Sequence, residues 1–305
     1  MTMPFRNIAL LGATGNLGSK ILKALSDGGF TVTAVQRKDS TNIAAGAAFS
    51  LKVDLLSDKE LASAFSGIDV VVSAVPNPQF DVEKIMIDAA ISAGVKRIVP
   101  SEFSSNLETE AAKTLPIVAE KIKIRRYMEE AAAASKIEWT SVNNGPFFVP
   151  YLWMNGIAGP NTESKTTTYH DGGDRVVCTS TPERIAEGVA KALCAKHAFE
   201  TKNKAVYIYS AVVSEKKLTQ MASKITGIQF AEQHRSLEQA MKTGYEGLKE
   251  GDQYKMRSFY IPFMFEERFA CDFRNAAWNE KLGLNTMNDA DIERVMREWL
   301  KKVEV

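Results

Sequence analysis

Through the first 150 residues, short apolar runs rich in Val and Ile alternate with stretches whose apolar residues recur every three to four positions. That is the rhythm of βαβ units. Asn7 to Leu11 predicts a buried strand, Leu17, Ile21, Ala24 and Leu25 a helix, Gly28-Gly29 its end, and Phe30 to Gln36 a second strand. Further strands are expected at Ala48 to Val53, Val70 to Val75, Arg97 to Val99 and Glu138 to Asn143, with helices near 58–66, 81–93 and 117–135. Runs apolar on both faces suit a parallel sheet covered by helices, so the fold class is α/β and doubly wound. After Tyr151 the alternation becomes irregular, and Gly159-Pro160-Asn161-Thr162 and Asp171-Gly172-Gly173-Asp174 read as turns in a smaller α+β lobe. The chain divides near residue 150, with a helix from Pro182 to about His197 and a strand from Ala205 to Tyr209 as segments that can return to the first domain.

With 45% hydrophobic and 25% charged residues over 305 positions, the chain is an ordinary globular protein and not a disordered, collagen-like or coiled-coil one. Its 38 Lys+Arg against 37 Asp+Glu leave a net charge of +1, so neither nucleic acid nor a membrane surface is an expected partner. Cys178, Cys194 and Cys271 are odd in number and far apart, which fits a reducing, cytoplasmic setting. The opening Met1-Thr2-Met3-Pro4-Phe5-Arg6 lacks the apolar core of a signal peptide, and no later run is apolar enough to span a bilayer. His170, His197 and His234 stand in no zinc-binding spacing, so no metal is expected. Monomer and homodimer remain equally open.

Between the first strand and first helix stands Gly12-Ala13-Thr14-Gly15-Asn16-Leu17-Gly18. A pyrophosphate needs main-chain N–H groups at a helix N-terminus, and glycines allow the tight turn and close approach that a Cβ would block. The turn's position makes the fold Rossmann-type. Its spacing, G-x-x-G-x-x-G, is the form found in extended and atypical short-chain dehydrogenases. The second strand ends in Arg37-Lys38 where an NAD-selective protein presents a carboxylate to the ribose. A guanidinium clamps a 2′-phosphate, so Arg37, with Lys38 as a second candidate, points to NADP(H); the alternative is two solvated loop cations.

The helix opened near Pro116 carries Lys121-Ile122-Lys123-Ile124-Arg125-Arg126. Helical spacing puts Lys123, Arg126 and Glu130 on one solvated side, and Lys121 opposite them with Ile117, Val118, Ile124 and Met128. An ammonium on that apolar stripe either reaches a polar cavity, where desolvation lowers its pKa toward proton-transfer use, or snorkels past its neighbours to water. Arg125 shares this side and can contact an anion or pair with a carboxylate.

Taken together, Gly12 to Gly18, Arg97-Ile-Val-Pro-Ser-Glu-Phe103, Lys121 to Arg126, Trp139 to Val142 and Phe147 resemble the isoflavone reductase and phenylcoumaran benzylic ether reductase group of the NmrA-like atypical short-chain dehydrogenases. The resemblance covers most of the chain and continues more weakly through Ile185-Ala186 and Tyr207-Ile-Tyr209. It implies an NADPH-dependent reductase of an aromatic or conjugated small molecule, with 1–150 binding NADP, 151–305 binding substrate, and Lys121 as general acid/base near the nicotinamide. By the same resemblance, cofactor contacts fall on Gly12, Thr14, Gly15, Asn16, Leu17, Arg37, Lys121, Val75-Pro76, Ser101, Phe103 and Gly145-Pro146-Phe147. Phe147, Phe148, Tyr151, Trp153 and Met154 are candidates for an aromatic substrate wall. Plant members commonly show Ser-Asn-Cys-Phe where this chain has Asn144-Gly145-Pro146-Phe147, and Asp-Ile-Ala where it has Glu183-Arg184-Ile185-Ala186, so a plant substrate is not transferred. The Tyr-x-x-x-Lys pair of ordinary short-chain dehydrogenases occurs only far downstream, as Tyr245 to Lys249, and is read as chance. Two rivals fit the same glycine turn: a non-catalytic NADP(H)-sensing regulator, and a quinone or aldehyde reductase of the same superfamily.

Overall fold

The computed structural model describes residues 4–301; residues 1–3 and 302–305, the outer ends of the two expected lobes and the start of the stretch read for a leader, lie outside the described residues. Seven parallel strands form the main sheet: β1 (Asn7–Leu11), β2 (Thr31–Arg37), β3 (Phe49–Val53), β4 (Val70–Ser73), β5 (Arg97–Val99), β6 (Glu138–Asn143) and β10 (Lys204–Tyr207). Their order is β10-β6-β5-β4-β1-β2-β3. The chain leaves β1 toward β2 and β3 and then returns to build β4, β5 and β6 on the other side. The gap outside the C-terminal ends of β1 and β4 is therefore the topological switch point, where ligands of such sheets bind.

Alternation along β1 divides the core: Ile8 and Leu10 face one layer, Ala9 and Leu11 the other. On the first face, Ile21, Leu22 and Leu25 of α1 (Gly18–Asp27) pack beside Ile185, Val189 and Leu193 of the later helix Pro182–Leu193. The other face is covered by α2 (Asp58–Ala64), α3 (Phe80–Ser92) and α5 (Ala119–Ala133); the single turn α4 (Glu110–Lys113) precedes α5. Both returning segments thus join the main sheet, β10 pairing with β6 in parallel and the helix at Pro182 covering β1. That helix stops at Leu193 and not His197: Cys194 takes an extended backbone (φ −66°, ψ 158°), and Ala192 O accepts instead from Thr201 Oγ1 at 2.7 Å.

The second lobe holds β7 (Gly159–Asn161), β8 (Thr166–His170) and β12 (Ala231–Arg235) in one small sheet, and β9 (Val177–Thr179) with β11 (Ala211–Val213) in a ribbon. Gly159 to Asn161, expected as a turn, is an edge strand antiparallel to β8; Pro160 is tolerated there because an edge position leaves its missing N–H without a partner to lose. Asp171 to Gly173 does turn, all three residues having positive φ. The core of this lobe gathers Trp153, Phe259, Phe263, Phe265 and Phe269, and it receives Leu115, Val118 and Ile122 from the start of the α5 region.

Candidate functional site

Gly12 follows β1 with φ +76°, and a Cβ there would stand 2.6 Å from Ala74 O, the residue just past β4. At Gly18 the added carbon would lie 1.9 Å from Gly12 O. The turn closes with Gly15 N donating to Gly12 O (2.9 Å), leaving Gly15 and Asn16 exposed and Thr14 and Leu17 half-buried. The α1 N-terminus has no side-chain cap; Ser19 N and Lys20 N already donate to Gly15 O and Leu17 O, and the N–H groups of Asn16, Leu17 and Gly18 are the ones left to an external acceptor. Helix start, glycines and switch point therefore coincide.

The neighbouring loops are tied into one rim along the C-terminal ends of the strands. Ser101, past β5, donates its hydroxyl to Val75 O, past β4, at 2.6 Å. Ser104 O accepts from the backbone N–H groups of Asn144 (2.8 Å) and Gly145 (3.2 Å), past β6. Gly145 has φ +67°, and any Cβ would collide with Cys178 O at 1.9 Å. Phe103 takes an unusual φ of +27° within this rim. Pro76 is exposed, and Pro146 and Phe147 are half-buried. At the end of β2, Arg37 is exposed and lies 3.6 Å from Asp39, whereas Lys38 is drawn to Glu60 on α2 at 2.5 Å. Arg37 is thus the freer of the two cations.

Lys121 sits one turn into the α5 region, where the helix changes partners. Ile117, Val118 and Ile122 belong to the second lobe's core, whereas Ile124 and Met128 belong to the core under the sheet. The single apolar stripe expected from spacing is in fact two surfaces meeting at a seam, and Lys121 enters that seam. Its Nζ donates to Glu102 O at 2.5 Å, between Ser101 and Phe103 of the rim. Lys121 is half-buried as a residue, and enclosure of its ammonium in the seam pushes the pKa down to about 8, partly offset by the Glu102 carboxylate. Lys123, Arg126 and Glu130 are exposed on the opposite side, as the helical spacing requires.

Arg125 pairs with a carboxylate. It is 5% exposed, and Nε donates to Glu102 Oε2 at 3.0 Å while Nη2 donates to Glu102 Oε1 and Ser141 Oγ. Its guanidinium lies 4.5 Å from the Trp139 ring centre. Sequence reasoning did not find Asn143, which closes this cluster, nor Glu83, a buried carboxyl on α3 that accepts from Ser73 Oγ at 2.9 Å and has its pKa pushed up to about 7 by burial. Neither occupies a motif; both become visible only when β4, β6 and their covering helices are assembled.

Two members of the aromatic wall are core residues instead. Phe148, 1% exposed, packs on Trp299 at 4.7 Å, and Trp153, 0% exposed, packs on Phe265 at 6.3 Å while Nε1 donates to Phe147 O. Phe147 and Met154 are half-buried and Tyr151 is exposed, which leaves these three as wall candidates. Tyr245 and Lys249 lie on the helix Leu237–Glu250 of the second lobe, where Tyr245 stacks edge-on against Phe259.

This arrangement has known counterparts. The NmrA-like family matches residues 5–251. The oxidoreductase aprR of Aspergillus flavus is 30% identical over 249 residues, 80% of this chain and 82% of that protein. Phenylcoumaran benzylic ether reductase Betv6 of Betula pendula is 31% identical over 189 residues, 56% of this chain and 59% of that protein. Among solved structures, the binary complex of leucoanthocyanidin reductase with NADPH from Vitis vinifera shares the fold with a TM-score of 0.79 at 15% identity, over 96% of this chain and 99% of that one. With its glycine turn, its seven-stranded sheet and a lysine at the seam of two cores, the chain belongs to the NmrA-like family.

Proposed function

We propose that this protein is an NADP(H)-dependent reductase of an aromatic or conjugated small molecule, with Lys121 as its general acid and with the cytoplasm as its compartment. The observation that carries the reading is the Lys121 amine, held on Glu102 O at the C-terminal rim of the sheet with a pKa of about 8. A sensor of dinucleotide needs no such group, whereas proton transfer near neutral pH works best with one. The names of the relatives, oxidoreductase and reductase, and the NADPH in the leucoanthocyanidin reductase complex support the same reading.

The residues present fit the dinucleotide. Gly12 and Gly18 let the turn close on main chain that a Cβ would strike, and the start of α1 offers the N–H groups of Asn16, Leu17 and Gly18 to a pyrophosphate. Arg37 is placed at the end of β2 to hold a 2′-phosphate after exchanging its loose contact with Asp39. Val75, Ser101, Phe103, Gly145, Pro146 and Phe147 would shape the remainder of the cleft. NADPH, when bound, supplies the hydride. Lys121 keeps its proton on Nζ until an oxygen of the substrate develops negative charge, then donates it there. Glu102 O orients the amine by accepting one of its hydrogens.

The test is isotopic. Purified protein, NADPH deuterated at C4 on either face, and a panel of phenolic enones, quinones and benzylic ethers are incubated together. The reading expects deuterium at carbon in at least one product, from one face alone. NADPH bound in stoichiometric amount with no transfer across the panel defeats it.

A further inference from the structure

Glu102 acts on Lys121 in two ways: its carbonyl accepts a hydrogen bond from the amine, and its carboxylate acts on the amine through its charge. That residue is 2% exposed, and its carboxylate is held by two side chains. Arg125, one helical turn beyond Lys121, donates from Nε and Nη2. Asn143, at the end of β6, donates its amide to Glu102 Oε1 at 2.8 Å and to Ser105 O at 3.1 Å, and accepts from Ser141 Oγ at 3.1 Å. The main chain is held as well, Glu102 N donating to Pro100 O at 2.7 Å just before Phe103 turns to positive φ. A buried pair of this kind contributes little net stability compared with an apolar pair, so its presence beside the amine asks for another role.

We propose that Arg125 and Glu102 are positioning residues for Lys121: their buried ion pair fixes the backbone whose carbonyl holds the amine and balances the charge around it. The proposal rests on the reading of Lys121 as the acid. The charged groups near the amine divide as follows. Glu102 faces it from the loop after β5; Arg125 and Glu129 (3.8 Å apart) share its helix; Glu108, 3.4 Å from Arg125, faces the guanidinium from the following loop and accepts from Tyr207 Oη on β10 at 3.1 Å. Glu120 is turned away, toward Lys123 and the Phe80 N–H. Neutralising Glu102 removes the carboxylate charge that the amine faces and leaves the Arg125 guanidinium to Glu108 and Glu129, so the Lys121 pKa falls below the native value. Removing Arg125 leaves the carboxylate to Lys121 alone, so its pKa rises.

The experiment titrates full-length protein carrying 13Cε,15Nζ-lysine by NMR, with the Lys121 resonance assigned by its loss in Lys121→Met, and records the pH profile of kcat/KM beside it. Glu102→Gln should move both titrations to lower pH and Arg125→Gln to higher pH, each by about one pH unit, equivalent to tenfold in protonated fraction. Should either single variant fail to fold, Glu102→Gln/Arg125→Gln, which removes both charges, should still titrate below native. Shifts in one direction for both single variants, or a native titration in the double variant, overturn the clamp. If the amine titration moves as expected while the kcat/KM profile stays, the clamp stands and the acid reading of Lys121 is the one overturned.

Discussion

Lys121 lowers the stability of the fold it serves. A drop from 10.5 to about 8 corresponds to about 3 kcal/mol of preference for the neutral amine in the folded protein. The sign follows from proton counting: below pH 8 both folded and unfolded chains hold the proton and the full cost is present, and between pH 8 and 10.5 the folded chain alone has released it, so the cost is relieved as pH rises. Lys121→Met should therefore be more stable than the native protein at pH 7, by up to about 3 kcal/mol and a higher Tm, with the gap closing toward pH 10 in denaturant titrations. A native protein equally stable at pH 7 would place the amine in water. The apolar neighbours of Lys121 were legible from helical spacing. The acceptor it reaches was not, because Glu102 O lies on a loop whose path depends on Ser101 binding Val75 O and on the turn at Phe103.

At the level of elements, the turn between β1 and α1 depends on two glycines whose hydrogens face backbone oxygens. Gly18→Ala should cost about 3 kcal/mol of stability and at least a hundredfold in NADPH affinity, because the collision partner is main chain and cannot rotate away. Gly29→Ala is the control: φ is +82° but nothing lies within 4 Å, so it should cost about 1 kcal/mol and leave NADPH affinity unchanged in calorimetric titration. Equal NADPH affinity in both variants would remove the pyrophosphate from this turn. β3, at the sheet edge, is exposed at four of its five positions, whereas the inner strands β1 and β4 were readable because a strand buried on both faces is apolar nearly throughout. β7 was not, since Gly159-Pro160-Asn161 has the composition of a turn and becomes a strand only by pairing with β8. Sequence likewise marked α5 as amphipathic without showing that its apolar side serves two cores, a division made by the second lobe's arrival at Leu115, Val118 and Ile122.

Across the whole molecule, the sheet, the glycine turn and the amine form one construction. The parallel sheet brings the loops after β1, β4, β5 and β6 to a common rim, hydrogen bonds from Ser101 and to Ser104 O tie those loops together, and the seam between the two cores delivers Lys121 to the same rim. Where the chain returns to the sheet through β10 was signalled by a single apolar strand, but its place beside β6 required the assembled fold. Rim and seam together support the central proposal, that Lys121 donates the proton in a reduction whose hydride comes from NADPH. The direct measurement is kcat/KM against pH for native protein and Lys121→Met, with NADPH affinity measured alongside. The account predicts unchanged NADPH affinity, a native kcat/KM that falls as pH rises through about 8, and a Lys121→Met kcat/KM about 10²- to 10⁴-fold lower and flat across that range. Full turnover by Lys121→Met, with the native pH dependence retained, would contradict it.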